Sequence, residues 1–437
     1  MAAPKKTNRI KEILNDIQKY KDAINELEIC MKEELYSEEA SDKRSGSEMK
    51  GNKGDWSEIY VFYKLMAEGK LTSAKVIDGK LEKDRNTFLP VLKILREDKK
   101  GVPIEYYTAN DRNGEKAFQI CFSGHEVPLA EKTKKEFEEQ ADDLYKKIRA
   151  GKGRSFQFPD HKKFLNDIFI TKIKSPSKKV TDLYGGIGDI TLEIIREDNM
   201  SAPAAFSIKS SLGSAATLFN TSNANIVTYR LDGCTDTIMN HVNKQINTRQ
   251  KVIDRVRYIL AEEAKGAITV KLENMGNDDK NKTFENNLVL ISDREPELLA
   301  RALLYAHLEA AGKQIADRVI YNITRRLIQN DPLHIGDNKE RYYKKKLKDL
   351  LFERACGMTS DDPWDGDKKI SGGYIFVDNK GEIYLFFARD QDVFMDWLFK
   401  NTRFETPSTG RHGIAEIKKK EDKYYFKLGI DIRFLDN

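Results

Sequence analysis

Two short stretches near the middle of the chain carry residue types that can act on a phosphodiester. In Asp189-Ile190-Thr191-Leu192-Glu193-Ile194-Ile195 polar and apolar residues alternate, which in a strand sets Asp189, Thr191 and Glu193 on one face. In Ala204-Ala205-Phe206-Ser207-Ile208-Lys209-Ser210, Ser207 and Lys209 share a face while Phe206 and Ile208 point the other way. A lysine in so apolar a strand is costly unless it meets a carboxylate or a phosphate. An acid heading one strand and a lysine on the next can hold a divalent cation, orient or deprotonate an attacking water, and stabilise charge on a phosphorane. The same residues also have a plain reading. An aspartate after Gly186-Ile187-Gly188 is an ordinary turn residue, and a strand lysine is commonly a solvated edge residue.

The surrounding pattern supplies the elements that must position them. Residues 8–35 read as one helix, with Ile10, Ile17, Ile24 and Met31 seven apart and Ile13, Tyr20 and Leu27 between them. That is either a short coiled-coil seam or an amphipathic helix packed on its own domain. Residues 36–54 are polar and rich in glycine and serine, as linkers are. A helix should start near Asp55, strands and turns should fill 88–122 around a turn at Asp111-Arg112-Asn113-Gly114, and a charged helix should cover 130–150. Helical patterns follow at about 237–264, 296–329 and 338–356. The C-terminal part returns to strands at Gly373–Val377, Ile383–Phe387, Ile414–Lys418 and Tyr424–Phe434, with a helix at about 391–400. The expected fold is α/β, a core with a mixed central sheet flanked by helices plus an N-terminal helical extension. The expected division is a helix over 1–35, a linker over 36–54, a catalytic core over 55–300 and a helical and hairpin region over 301–437.

With 437 residues the chain has room for two or three cores. Charged residues make up 33%, and Lys and Arg exceed Asp and Glu by 75 to 70, a net charge of +5. Such a balance is compatible with nucleic acid without demonstrating it. No apolar run reaches the roughly 18 residues of a membrane span, and the basic N-terminus leads into polar residues, so neither a membrane nor a secretory role is expected. The four cysteines, Cys30, Cys121, Cys234 and Cys356, form no clustered metal pattern and suit a reducing cytoplasm.

The acid–strand–lysine pattern is that of the PD-(D/E)xK nucleases. Longer blocks sharpen it: Gly51-Asn52-Lys53-Gly54-Asp55-Trp56-Ser57-Glu58-Ile59-Tyr60, Phe206-Ser207-Ile208-Lys209-Ser210 with Leu212-Gly213-Ser214, and Asn401-Thr402-Arg403-Phe404-Glu405-Thr406-Pro407-Ser408-Thr409-Gly410-Arg411-His412, followed by Lys427-Leu428 and Ile432-Arg433-Phe434. In this order they resemble the HpaII family of type II restriction endonucleases, leaving the first 50 residues outside. The resemblance implies Mg²⁺-dependent cleavage of double-stranded DNA at a short palindrome, CCGG in the namesake. It also implies a prokaryotic cytoplasmic protein working beside a cognate DNA methyltransferase. A homodimer is the natural reader of a palindrome, because protein and target then share a two-fold axis.

One departure stands out. Ser207 occupies the place where these nucleases usually carry Asp or Glu, and a neutral hydroxyl is a poor partner for Mg²⁺. With Asp189 as the first metal ligand, the second carboxylate is expected from Glu58, on the helix that related nucleases use for this, or from Glu193 on the strand face of Asp189. For DNA, the loop Ser408-Thr409-Gly410-Arg411-His412 offers hydroxyls and two strong donors, and arginine is the side chain best shaped to read guanine. Arg403 and Lys345 are further DNA-contact candidates, the latter within the run Lys344–Lys346. Lys418–Lys420 is a second basic run, although such runs are usually solvated faces.

Two rival readings remain. Asp182-Leu183-Tyr184-Gly185-Gly186-Ile187-Gly188-Asp189 resembles the S-adenosylmethionine loop of cytosine-5 methyltransferases. The chain has no Pro-Cys nucleophile, however, and Asp362-Pro363-Trp364 lacks the second proline of the amino-methyltransferase motif. A non-catalytic DNA-binding protein of the same fold is the other, and Ser207 is the feature in its favour.

Overall fold

A computed structural model describes residues 49–77, 80–97, 103–108, 117–122, 130–152, 155–173, 188–195, 200–213, 215–244, 249–276, 282–310, 315–367, 370–387, 391–406 and 415–435. The expected N-terminal helix, most of the linker, the Asp111–Gly114 turn and the glycine loop up to Ile187 lie outside these. The chain divides into two compact units. The first takes residues up to Leu71, Leu89–Gly185 and Asp189–Ala204, and the second takes Thr72–Phe88, Gly186–Gly188 and Ala205 onward.

In chain order the first part comprises α1 (Lys53–Glu68), β1 (Lys70–Ile77), β2 (Lys80–Glu97), β3 (Pro103–Tyr107), β4 (Ala117–Phe122), β5 (Ala130–Thr133), α2 (Lys134–Ala150), α3 (Pro159–Asp167), β6 (Ile190–Ile195) and β7 (Ser201–Ser210). Within the first unit, β6, β2, β3, β4 and β5 hydrogen-bond in that order, each pair antiparallel. The helix expected near Asp55 starts at Lys53 because Asn52 caps it. The Asn52 side chain accepts from the Asp55 amide at 3.0 Å, and the Asp55 carboxylate accepts from the Asn52 amide at 2.8 Å. Gly51, inside the expected linker, already bridges to Phe156. In α2 the buried residues Phe137, Ala141, Leu144 and Ile148 make one helical stripe, the period of an amphipathic surface helix. Phe62 of α1 meets Tyr106 of β3 edge-on at 5.1 Å and Phe137 at 6.2 Å. These rings close the core over the Ile94–Leu192 face of the sheet.

The chain continues through β8 (Thr217–Phe219), β9 (Ile226–Asp232), α4 (Asp236–Asn243), α5 (Arg249–Ala264), β10 (Thr269–Met275), α6 (Thr283–Ile291), α7 (Glu295–Glu309), α8 (Ile320–Asn330), α9 (Lys339–Ala355), β11 (Gly373–Val377), β12 (Ile383–Phe387), α10 (Gln391–Asn401), β13 (Thr402–Phe404), β14 (Lys418–Lys420), β15 (Lys423–Gly429) and β16 (Ile432–Phe434). In the second unit β1 pairs parallel with β12, β12 antiparallel with β11, and β11 parallel with β7. The expected mixed sheet is therefore present, and the fold is α/β. Its aromatic face, Tyr374, Phe376 and Phe386, packs on Phe394 and Trp397 of α10. A second, antiparallel sheet runs β10-β9-β15-β14, and a third runs β13-β16-β8.

Several expectations are corrected: the helix expected over 130–150 is β5 followed by α2, and the strand expected over Tyr424–Phe434 is β15 and β16. The helical pattern over 237–264 is two helices, and that over 296–329 is α7 and α8 with a 3-10 turn at Ile315–Arg318 between them. The strand expected from Ile414 begins only at Lys418. Ala415 has a left-handed backbone with φ of 58°, and Asn243 holds both the Ile417 amide (2.9 Å) and the Ile417 carbonyl (2.7 Å).

The reciprocal cap at Asn52 fixes where α1 begins. Asn52→Ala should lower stability by about 1 kcal/mol. Urea unfolding should show this as a lower midpoint with an unchanged slope.

Candidate active site

Strand β6 separates its residues by alternation. Ile190, Leu192 and Ile194 are buried, and Thr191 and Glu193 point to the opposite face, with Asp189 immediately ahead of the strand. Register places Glu193 beside Lys93 and Thr191 beside Leu95 of β2, while Leu95 also faces Glu105 of β3. Lys93 Nζ lies 3.0 Å from Glu193 and 3.1 Å from Glu105. The Tyr107 hydroxyl donates to the same Glu105 carboxylate at 2.6 Å, and its ring lies 5.4 Å from the Lys93 ammonium. Burial pulls the Lys93 pKa down, but hydrogen bonds to Glu193 and Glu105 outweigh it and hold the group well above the ordinary lysine range. Glu193 is thus one of the two carboxylates of a structural ion cluster. It also stands four residues beyond Asp189, roughly 13 Å along an extended strand. These two facts weigh against Glu193 as a shared metal ligand with Asp189.

The other face of β2 carries Arg96, fully enclosed. Its guanidinium donates to the carbonyls of Lys172 (3.0 Å) and Ile173 (3.2 Å) and lies over the Phe62 ring at 5.8 Å. Burial lowers its pKa, opposed by the electrostatic pull of Tyr106 and then of Glu58. Since Leu95 pairs with Thr191, Arg96 stands one residue nearer the head of β6. Glu58 of α1 is among the groups whose charge acts on Arg96.

In the second unit, Gly188 lies against β7. A Cβ built there would stand 2.7 Å from the Phe206 carbonyl oxygen and 2.8 Å from its nitrogen, so glycine is required by close backbone approach. Ser207 and Lys209 pair in register with Tyr374 and Phe376 of β11 and therefore share their face. Ser207 is buried and Lys209 half-buried. Among the described residues Lys209 forms no ion pair, in contrast to Lys93.

The remaining expected site residues separate clearly. Ser408, Thr409, Arg411 and His412 lie outside the described residues. Arg403 is only 5% exposed. It donates to the Phe434 carbonyl at 2.7 Å and to Glu405 at 3.3 Å, which makes it a tie between β13 and β16. Lys345 is exposed on α9 and paired with Asp349 at 2.6 Å, a surface pair that costs little to give up. Asp362-Pro363-Trp364 is strapped to α6 by Asn287, whose amide donates to the Asp362 carbonyl at 2.9 Å and accepts from the Trp364 amide at 2.9 Å. Among the described residues no three or more His, Cys, Asp or Glu side chains are grouped to hold a metal, and no helix is long and apolar enough to cross a membrane. Lys93, Glu105 and Arg96 escaped the sequence reading. Lys93 sits in Val91-Leu92-Lys93-Ile94-Leu95, the same signal of a lysine in an apolar strand that singled out Lys209.

An α/β chain with a central mixed sheet and flanking helices is consistent with a nuclease of the restriction-endonuclease class. The chain belongs to the HpaII restriction endonuclease family, whose family model matches residues 52–434. It is similar to the type II restriction enzyme HpaII of Haemophilus parainfluenzae, with 30% identity over 392 residues, 88% of this chain and 98% of that enzyme. No solved structure matches the chain.

Removing Lys93 would leave two carboxylates facing each other with no cation between them. Lys93→Met should cost about 3–5 kcal/mol. Because the folded lysine has a raised pKa, its contribution is complete below about pH 10.4, the ordinary lysine value, and is lost only as pH climbs through the raised one. Thermal melts of both proteins from neutral pH up to about pH 11 check this: the wild-type advantage should hold below about pH 10.4 and narrow above it.

Proposed function

We propose that this protein is a type II restriction endonuclease that cleaves double-stranded DNA at a short palindrome by Mg²⁺-dependent phosphodiester hydrolysis. The observation that carries the reading is the family match, which runs from the cap of α1 to β16 and includes Glu58, Asp189, Ser207 and Lys209. The donor set suits the metal. Asp189 and Glu58 offer hard carboxylate oxygens, which Mg²⁺ prefers, while Ser207 adds only a neutral hydroxyl. Held by these groups, Mg²⁺ would supply a Lewis acid for the scissile phosphate.

The chain's own residues then have separate tasks. Asp189 and Glu58 are assigned the cation. Lys209, free of any carboxylate among the described residues, is assigned the attacking water and the negative charge that builds on the phosphate oxygens. A two-fold homodimer would match a palindromic target, and CCGG is the target of first choice by analogy with the family. A cognate DNA methyltransferase would protect the host's own sites. Ser207 favours one alternative, a DNA-binding protein of this fold without catalysis.

Two experiments bear on the reading. Asp189→Asn and Lys209→Ala should each abolish plasmid cleavage while leaving duplex affinity within a few-fold, since affinity comes mainly from phosphate contacts. Normal rates in either variant would remove that residue from the site. Glu58→Gln should slow cleavage by at least about a hundredfold, equivalent to roughly 2.7 kcal/mol, and Ser207→Ala should slow it little. The reverse ranking would move the second ligand away from Glu58 and bring Ser207 into the chemistry.

A further inference from the structure

The four-stranded sheet β10-β9-β15-β14 buries one face and presents the other. Tyr229, Leu231, Val270, Tyr424, Phe426 and Leu428 line the buried face, where Tyr229 stacks on Phe426 at 4.7 Å and donates to the Ala300 carbonyl of α7. Register builds the opposite face as a row of Lys418, Tyr425, Arg230 and Lys271, one residue from each strand. At strand spacings of about 4.8 Å the row crosses roughly 14 Å. Lys420 and Lys423, directly paired, stand on the same face beside it.

The two ends of this face differ in charge. On the β9–β10 side, Arg230 is held by Asp232 at 2.7 Å and Glu273 at 3.0 Å, and Lys271 by Asp232 at 2.9 Å. On the β14–β15 side, Lys418, Lys420 and Lys423 are exposed and form no ion pair among the described residues. Lys419, the residue of this run that alternation turns inward, does find partners in Asp236 at 3.5 Å and the Tyr424 ring at 5.3 Å. On β14 neutralisation thus reaches the inward Lys419 and not the outward Lys418 or Lys420. Like charges directly opposite each other in a sheet are destabilising, and Lys420 and Lys423 stand opposite each other, joined by the turn residues Glu421 and Asp422. Edge lysines also discourage strand addition, but that purpose does not call for cations on both β14 and β15.

We infer that this face is a docking surface for the sugar-phosphate backbone of duplex DNA, with Lys418, Lys420 and Lys423 meeting phosphates and the Tyr425 hydroxyl as a further donor. The inference rests on the proposed DNA-cleaving function and adds to it a surface remote in sequence from Asp189 and Lys209. Backbone contacts set register and orientation on the duplex and carry no sequence information.

The test uses the full chain with every variant's thermal melt checked first. The triple variant Lys418→Ala/Lys420→Ala/Lys423→Ala should bind a cognate and an unrelated duplex more weakly by the same factor, on the order of tenfold or more. Its plot of log K against log salt should be shallower by about one unit for each phosphate the variant no longer neutralises. Cleavage at saturating DNA should be unchanged, and the triple Lys→Arg variant should retain the affinity. Unchanged affinity and salt slope in a variant of an enzyme that cuts DNA would overturn the surface alone, as would self-association as the sole defect. Loss confined to one duplex sequence would also overturn it, by making these residues base readers. A wild-type chain that neither binds nor cuts DNA would overturn the function itself, and this surface with it.

Discussion

The constraint on which the first unit depends is that a lysine enclosed in a sheet must be matched by carboxylates. Lys93 sits between Glu105 and Glu193, and each of the three belongs to a different strand. A slip of one residue in β2, β3 or β6 would turn one of them to the opposite face, leaving the others uncompensated in a poorly hydrated place. The ion cluster therefore specifies register as well as contributing attraction. Register in turn sets where β6 begins, and so where Asp189 stands relative to Arg96, α1 and Glu58.

Two lysines in apolar strands end in opposite situations. Lys93 is fully matched and is committed to structure. Lys209 stands half-buried on the face of Tyr374 and Phe376, without an ion pair among the described residues. An ammonium kept from its own fold's carboxylates is the kind able to act on a phosphate. The contrast gives Lys93 a role in folding and leaves Lys209 available for the chemistry proposed for it, although the sequence around each looks alike.

Much of this is legible in the sequence where one rule governs. Gly373–Val377 and Ile383–Phe387 can be placed to the residue, because buried strands of five residues leave little latitude, and α2 follows from its stripe of Phe137, Ala141, Leu144 and Ile148. What the sequence hides depends on partners far along the chain. The register that pairs Glu193 with Lys93 and Glu105 joins segments about a hundred residues apart, so Glu193 looks like a spare acid beside Asp189. Arg403 looks like a DNA contact because its carbonyl partner at Phe434 is set by β13–β16 pairing. Ile414–Lys418 alternates like a strand, yet Asn243 holds Ile417 in place and Ala415 turns left-handed. The family blocks are legible from side-chain order alone, and the family match covers them from residue 52 to residue 434.

The central claim is that this family member cuts DNA at a defined two-fold site with Mg²⁺. The most direct measurement is to incubate purified full-length protein and plasmid with Mg²⁺ and to sequence the resulting ends. The account predicts discrete fragments whose ends all derive from one short palindrome, with no cleavage when the metal is chelated. Uncut plasmid, ends scattered without a common sequence, or full activity in chelator would contradict it.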